Sequence, residues 1–264
     1  MQSGTNYGSN LSADASSSRF AADYERRSLG QDPPALAEGE VHVWRLSLAE
    51  PALARAPEDY LDAEERARAA RFARPELAER FSAAHAQMRA VLGGYLGVPP
   101  TDLRFGAGAQ GKPALSAPAQ PWPLDFNLSH SGERALLAVG RGGPLGVDIE
   151  ATRIFDTMDD LARRIFAPAE TAALEALAPA RRVAGFFACW TRKEAVVKAD
   201  GRGLSLPLES FVVRVDPDMP AALLRTDGLA DPPPALHDLP APAGYRAAIA
   251  VPQATRAIRC FALA

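Results

Sequence analysis

The order of strand-like and helix-like segments constrains the fold of this chain more than any other feature of its sequence. A half-buried strand is predicted at Val41–Leu48, where apolar and polar residues alternate. Helical spacing then covers 58–97, and strand-like segments follow at 126–128, 135–139 and 145–149. The second half repeats this plan, with helical segments at 158–166, 169–177 and 181–198 and strands at 211–215, 245–251 and 258–263. We therefore predict an α+β protein of two similar subdomains with a ligand cleft between them.

The ends of these segments suggest a domain organisation. Residues 1–39 are rich in Ser, Ala, Gly and Asn and show no sustained period, so we expect a flexible N-terminal tail and a folded part that begins at Val41. A boundary near Arg141–Pro144 divides the remainder into an N-terminal subdomain at 40–143 and a C-terminal subdomain at 144–264. The stretch at 226–242 contains five prolines and is predicted to be a surface loop.

Charge and cysteine content exclude several classes of protein. Lys and Arg total 29 against 32 Asp and Glu, so a general electrostatic attraction to nucleic acid is not expected. The two cysteines favour a reducing compartment over a disulfide framework. No stretch is long and apolar enough to span a bilayer, and the N-terminus does not read as a secretion signal. We expect a cytoplasmic monomer that binds neither nucleic acid nor membrane.

The first motif with chemical potential is GPLGVDIE. Asp148 and Glu150 lie two residues apart, so on a strand both project from one face while Val147 and Ile149 point into the core. Two solvated acids at a strand end would give the same pattern. The alternative is a pair of carboxylates that share a cation.

The second motif is WTRKEAVVKADGRG, on a predicted helix. Glu194 and Lys198 are four residues apart and share a helix face, which also fits a plain stabilising ion pair. If Glu194 meets Asp148 and Glu150, three oxygen ligands would suit Mg²⁺. Lys198 would then neutralise phosphate oxygens beside it, an arrangement suited to attack on a pyrophosphate.

The third motif, FNLSHSGERALLAV, places Ser129, His130 and Ser131 after a short strand. Hydroxyls and an imidazole in a turn can bind an anion. A Ser/His nucleophile is disfavoured because the Gly-x-Ser-x-Gly elbow is missing. A structural histidine and a phosphate contact both remain open from the residues alone.

In their order and spacing, the three motifs resemble the 4'-phosphopantetheinyl transferases of the larger, two-subdomain, surfactin-synthetase-activating type. The hallmarks are the SHS turn at 129–131, the G-[VI]-D-[IV]-E strand at 146–150 and the W-x-x-K-E-x-x-x-K helix at 190–198. The similarity covers the chain from about Val41 to Leu263. It implies a pseudo-twofold pair of α/β subdomains with coenzyme A in the cleft.

The resemblance also implies roles for individual residues. Asp148, Glu150 and Glu194 would bind Mg²⁺ in the C-terminal subdomain, and Lys198 would contact the pyrophosphate. Asp148, Glu194 and Lys198 would form the catalytic group, with Glu194 as the base that acts directly or through a water.

Further positions match the family's coenzyme A contacts. His130 and Arg80 match positions that hold the 3'-phosphate, and Arg68 matches a basic position in the early helix. Lys112 and Ser129 match positions at the nucleotide end. Glu65 departs from the family pattern, since a basic residue is expected three positions before Arg68.

The implied reaction transfers the 4'-phosphopantetheine arm of coenzyme A to a serine of an apo carrier domain, and it releases adenosine 3',5'-bisphosphate. The partners would be acyl, aryl or peptidyl carrier domains. Two alternatives use similar residues: a Mg²⁺-dependent phosphodiesterase, and a coenzyme A binding module without activity.

Overall fold

The computed structural model describes residues 24–29, 31–107, 112–118 and 123–264. The helices are α1 (Ala63–Ala69), α2 (Pro75–Leu96), α3 (Met158–Ile165), α4 (Pro168–Ala176) and α5 (Pro179–Asp200). The strands are β1 (Glu25–Arg27), β2 (Glu40–Ser47), β3 (Arg104–Ala107), β4 (Pro113–Ala117), β5 (Asp125–Ser131), β6 (Arg134–Gly140), β7 (Gly146–Ala151), β8 (Val212–Val213), β9 (Leu223–Arg225), β10 (Ala235–Asp238), β11 (Tyr245–Val251) and β12 (Ala257–Leu263). None of the described helices meets the length and hydropathy needed to cross a membrane.

Two sheets carry most of the described strands. The larger has five strands in the order β1-β12-β2-β6-β5, with β12 parallel to both of its neighbours. The smaller is antiparallel, in the order β10-β11-β7. Short pairs, β3 with β4 and β8 with β9, complete the described sheets. Strands β5 and β7 each lie at the edge of their sheet.

Each of the two larger sheets is covered by a helix of 22 residues. Helix α2 packs on the five-stranded sheet, where Met88 and Leu92 join Trp44 and Leu46 of β2 in one apolar core. Helix α5 packs on the other sheet through a core that includes Ala195 and Val196. Both helices begin with Pro at the first turn and end at a left-handed Gly, which suits their termini.

A third core fills the space between the sheets. Val43 and Leu136 contribute from the five-stranded sheet, and Val147 and Ile249 contribute from the smaller sheet, all of them fully buried or nearly so. The strand alternation explains this arrangement, because Trp44 faces α2 while Val43 faces the other sheet. The layers therefore run helix, sheet, sheet, helix.

The predicted α+β class is confirmed, and the helices and strands follow the predicted order. The expected start at Val41 is wrong: residues 25–27 form β1 against β12, and Leu36 is buried in the core of the first sheet. The remainder of the predicted tail, residues 1–23, lies outside the described residues. Strand pairing and burial, which involve distant residues, order the part from Tyr24 onward despite its lack of local pattern.

Three further differences concern the second half. The predicted loop at 226–242 contains β10, which pairs with β11 and so extends the smaller sheet. Strand β12 lies within the predicted C-terminal subdomain, yet it pairs with β2 of the five-stranded sheet. The last strand of the chain therefore returns to the sheet of the first half. The strand predicted at 211–215 is shorter, since only Val212 and Val213 pair.

Candidate functional site

The last turns of α5 lie directly over the start of β7. A Cβ on Gly146 would lie 2.7 Å from Lys198 Cβ and closer still to Ala195 O and Ala199 N, so only glycine permits this approach. The close crossing brings Glu194 and Lys198 beside the face of β7 that carries Asp148. The glycine of the GVDIE motif is therefore a packing requirement of the site.

Asp148 and Lys198 form the centre of this junction. Lys198 Nζ donates to Asp148 Oδ1 at 2.6 Å and to Ser129 Oγ at 3.1 Å, and Ser129 Oγ donates to the same carboxylate oxygen at 2.8 Å. Asp148 is 3% exposed, and no residue that the structure describes forms a hydrogen bond with its buried Oδ2. A buried carboxylate oxygen without a partner is costly, so this atom has capacity for a further ligand.

Alternate side chains of β5 cover the free edge of β7. Asn127 Oδ1 accepts from Val147 N at 2.9 Å, Ser129 Oγ from Ile149 N at 3.4 Å, and Ser131 Oγ from Ala151 N at 3.1 Å. These three side chains, the β5 comb, satisfy backbone groups that a further strand would otherwise pair. They join the edges of the two sheets at the carboxylates.

The β5 comb also orients the acids of β7. Ser131 Oγ donates to Glu150 Oε2 at 2.7 Å, as Ser129 does to Asp148. Both carboxylates are thus fixed by a serine of the SHS motif.

The electrostatics of Glu150 and Glu194 indicate that the acids gather at one place. Burial and the charges of Asp148 and Glu150 raise the pKa of Glu194, partly offset by Lys198. Burial and the charge of Asp148 raise the pKa of Glu150, against the hydrogen bond from Ser131. The site therefore has more carboxylate charge than Lys198 neutralises, which favours the addition of a cation.

A divalent metal fits this donor set in its chemistry. In the described part of the chain, no group of three or more His, Cys, Asp or Glu side chains already has the arrangement needed to hold a metal ion. However, Asp148 Oδ2 is unpartnered and the neighbouring carboxylates repel one another. Oxygen-only ligands of this kind are those that Mg²⁺ prefers.

His130, expected to bind the 3'-phosphate, lies on the face of β5 opposite Ser129, where its side chain is partly accessible to solvent. Burial of the ring and the positive charges of His85, Lys198 and Arg68 lower the pKa of His130. Arg68 thus belongs to the same group of cations. Arg80, half-buried on α2, forms no hydrogen bond or ion pair with the described residues.

Lys112 contacts the backbone at the C-terminal end of α5, next to Lys198. Its Nζ donates to the backbone oxygens of Leu145 at 2.6 Å and of Lys198 at 3.2 Å, so it ties the C-terminal end of α5 to the start of β7. Burial lowers the pKa of Lys112. Lys112 also lines a cavity of ≈ 340 Å³ together with Asp125, Phe126 and Gly201. A cavity of ≈ 420 Å³ that includes Arg45 and Arg134 is lined by none of the residues expected to bind the metal or coenzyme A, and we assign it no role.

Sequence reasoning missed two features of the site. The sequence gives Asn127 no role and predicts Ser131 in a turn, whereas β5 extends through Ser131 and its alternation places both side chains on the face of Ser129. Lys193, which precedes Glu194 in the second motif, shares its charged character with Lys198 but is 1% exposed and donates to Glu170 Oε1 at 2.6 Å. Its ammonium belongs to the core beneath α5.

Comparisons with known proteins agree with this arrangement. Residues 144–250 match the family model described as the 4'-phosphopantetheinyl transferase superfamily, and residues 44–141 match that of the 4'-phosphopantetheinyl transferase N-terminal domain. The chain is 39% identical over 189 residues to the 4'-phosphopantetheinyl transferase HetI of Nostoc, which covers 71% of this chain and 79% of that protein. It is 33% identical over 159 residues to the 4'-phosphopantetheinyl transferase Sfp of Bacillus subtilis, which covers 60% of this chain and 68% of that protein.

A 4'-phosphopantetheinyl transferase of Bacillus subtilis is 36% identical over 168 residues, which cover 64% of this chain and 72% of the relative. The two family models together cover residues 44–141 and 144–250, which include all three motifs. The chain therefore belongs to the 4'-phosphopantetheinyl transferase superfamily, and its activity is the transfer of the phosphopantetheine group to carrier proteins.

Proposed function

We propose that coenzyme A is the donor, that Mg²⁺ assists the transfer, and that the acceptor is a serine hydroxyl of an apo acyl, aryl or peptidyl carrier domain. The observation that carries this proposal is the junction of β5, β7 and α5. There Asp148 Oδ1 accepts a hydrogen bond from Lys198, whereas no described residue bonds to the buried Oδ2 of the same carboxylate. Such a junction suits a substrate that brings phosphates together with a cation.

Asp148, Glu150 and Glu194 are the residues that would hold Mg²⁺. When bound, the ion offsets negative charge that builds on the pyrophosphate oxygens during transfer. The β5 comb contributes by fixing Asp148 and Glu150 through Ser129 and Ser131. The Lys198 side chain is 26% exposed, and its Nζ bonds to Asp148. It can also donate to phosphate oxygens.

The chemical step forms one P–O bond and breaks another. The serine oxygen of the carrier attacks the β-phosphorus of coenzyme A, and the bond to the bridging oxygen breaks. Its electron pair leaves with adenosine 3',5'-bisphosphate. Glu194 takes the serine proton, a role supported by burial and by the Asp148 charge, which raise the pKa of Glu194. Lys198 stabilises the departing phosphate.

The nucleotide end of coenzyme A lies toward the N-terminal half in this proposal. Arg68, Arg80 and His130 hold the 3'-phosphate, while Lys112 and Ser129 line the nucleotide end. The binding cleft lies between two pseudo-twofold subdomains, at 40–143 and 144–264, with β12 returned to the first. Two sheets, each covered by a 22-residue helix, support this symmetry.

The setting of the enzyme follows from the same chemistry. Both cysteines, Cys189 and Cys260, are buried and free, which suits a reducing cytoplasm. The carrier domain is the only macromolecular partner in this proposal, and the enzyme acts as a monomer.

The test offers purified protein, Mg²⁺ and coenzyme A to a panel of apo carrier domains and follows the carrier mass. We expect addition of one phosphopantetheine arm, and none without Mg²⁺ or without coenzyme A. A second arm omits the carrier. Consumption of coenzyme A there would indicate a phosphodiesterase, whereas binding without transfer to any carrier would indicate a binding module.

A further inference from the structure

Glu65 occupies a position in α1 at which a basic residue is expected, close to the proposed phosphate site. The structure shows what this carboxylate does instead. Its Oε2 accepts from Asp62 N at 3.2 Å and from Arg89 Nε at 2.5 Å, and its Oε1 accepts from His85 Nδ1 at 2.8 Å. The side chain is 11% exposed. Although burial opposes it, the hydrogen bond from His85 and the charge of Arg89 lower the pKa of Glu65.

Glu65 therefore does not present a free negative charge to a ligand. Its hydrogen-bonding capacity is directed inward to α2, and Arg89, which is fully buried, also pairs with Asp62. The N-cap box of α1, formed by Asp62 and Glu65, is built from the same residues. The network holds α1, and with it Arg68, against α2.

His85 stands on the other side of Glu65. With Nδ1 bonded to the carboxylate, Nε2 is the nitrogen left for another partner, and no described residue bonds to it. The ring lies 4.0 Å from Phe81 between centroids, and Arg68 lies 5.2 Å above the same Phe81 ring. His85 and Arg68 are thus held by one aromatic side chain. The His85 side chain is 18% exposed, so solvent reaches it.

The neighbours of this pair are also cationic. His85, Lys198 and Arg68 all act on His130 of β5 and, together with its partial burial, lower its pKa. Arg68 and His85 therefore lie near enough to His130 for their charges to act on it.

We propose that His85 supplies the positive charge that Glu65 does not, and that its Nε2 binds the phosphate monoester of the nucleotide substrate beside Arg68 and His130. The inference rests on the proposed function, because it takes coenzyme A as the donor. Glu65 acts as a positioning residue that orients the ring, and His85 becomes a residue of the substrate-binding site.

The test compares coenzyme A with 3'-dephospho-coenzyme A, which lacks only the phosphate monoester. Their dissociation constants are measured by calorimetry for wild type and for His85→Gln, which keeps a donor toward Glu65 but carries no charge. We expect the affinity of the variant for coenzyme A to fall about tenfold, since a hydrogen bond to a charged group is lost at a partly exposed site. The affinity for the dephospho compound should stay within about twofold.

Two further variants separate binding from structure. His85→Lys keeps a cation and should retain most of the preference for coenzyme A. His237→Gln is the matched control, because His237 lies on β10 opposite Ile249, on the sheet face away from Asp148. If His85→Gln does not fold, His85→Phe keeps a ring against Phe81 and removes the same charge.

The outcomes distinguish this inference from the proposed function. A wild-type protein that does not bind coenzyme A contradicts the proposed donor. A wild type that prefers coenzyme A, together with a His85→Gln variant of unchanged preference, overturns only the role of His85. Equal weakening of both compounds would also overturn it, because a merely structural histidine gives that result.

Discussion

Helix α5 carries two lysines that each pair with a carboxylate at the same distance. The two pairs differ in how fully their polar atoms are hydrogen-bonded. Lys193 Nζ and Lys198 Nζ each lie 2.6 Å from a carboxylate oxygen, of Glu170 and Asp148 respectively. Five residues separate the two lysines, which turns them by about 140° around the helix axis. One therefore faces the core, whereas the other faces the edge of β7.

The core pair, Lys193 and Glu170, makes further hydrogen bonds to the backbone. Lys193 also donates to Phe211 O at 2.9 Å, and Glu170 accepts from Ala167 N and Val213 N. Both side chains are essentially without exposure. In the pair at β7, by contrast, Lys198 is partly exposed and Asp148 Oδ2 has no partner. A saturated pair can only hold the fold together, while an unsaturated one can bind a substrate or an ion.

The largest effect is expected at the unsaturated pair. Asp148→Asn removes the charge that Lys198 faces and one proposed metal ligand, so we expect carrier modification to slow by at least about 1,000-fold, or about 4 kcal/mol of transition-state stabilisation. Rates of arm transfer to an apo carrier measure the change. Asp160→Asn, at an exposed ion pair with Arg163, is the matched control and should leave the rate unaltered. A rate within tenfold of wild type for Asp148→Asn would remove the distinction between the pairs.

The core pair should respond in stability. Lys193→Met leaves Glu170 buried without a cation, at a cost of about 3–5 kcal/mol in the free energy of unfolding. Urea unfolding followed by circular dichroism measures it. Addition of Glu170→Gln should recover part of the loss, because the amide carries no charge and its oxygen can still accept from one of the two backbone N–H groups. Transfer per folded molecule should be little changed, and a large loss of turnover in a stable Lys193→Met variant would assign this lysine to the chemistry.

A buried atom without a partner does not by itself indicate a site, as His42 shows. Its Nδ1 lies 2.7 Å from Tyr95 Oη, but its buried Nε2 has no hydrogen bond and lies 3.6 Å from Glu40 Oε2. Burial, with the charge of Arg259, lowers the pKa of His42 to about 4. The unfolded chain thus binds a proton at higher pH than the folded chain.

Acidification should therefore destabilise the fold through His42. Its contribution is complete above the unfolded pKa of about 6.5 and is lost as the pH falls through the folded value of about 4, for a total of about 3 kcal/mol. The free energy of unfolding measured from pH 7 to pH 4 tests this. The difference between wild type and His42→Gln isolates the residue from other titrating groups. Parallel pH curves for the two proteins would mean that His42 has the same pKa in the folded and unfolded chains.

The sequence predicted which acids and lysine gather near β7 better than it predicted the residues that support them. Asp148, Glu150, Glu194 and Lys198 were identifiable because strand and helix periods place them on shared faces. Residue type alone does not distinguish Lys193 from Lys198, because the burial of Lys193 depends on Glu170, which lies 23 residues earlier. The helix period does distinguish them, since it places Lys193 on a different face of α5.

Long-range pairing accounts for the remaining differences. The partner of β12 is β2, more than 200 residues earlier in the sequence, and no local pattern specifies that pairing. The same holds for β1, whose three residues carry no strand period of their own. Such contacts depend on the cores between layers, which form only when both halves are folded.

The smallest effect is expected from the serine that supports Glu150. Ser131→Ala removes the 2.7 Å hydrogen bond to Glu150 Oε2, so the carboxylate loses its fixed orientation. Residues that orient a metal ligand are typically worth 10–100-fold in affinity or activity, and we expect a change near the lower end, seen as a raised Mg²⁺ requirement. Manganese binding followed by electron paramagnetic resonance gives a readout that does not depend on turnover. Asn127→Ala is the matched control, because Asn127 belongs to the same β5 comb but bonds only backbone at Val147. That variant should lose stability through the unpaired N–H while its folded fraction keeps the wild-type metal requirement. If both variants raise the metal requirement equally, the β5 comb acts on the site only by holding β7 in place. The hydrogen bond from Ser131 to Glu150 then makes no separate contribution to metal binding.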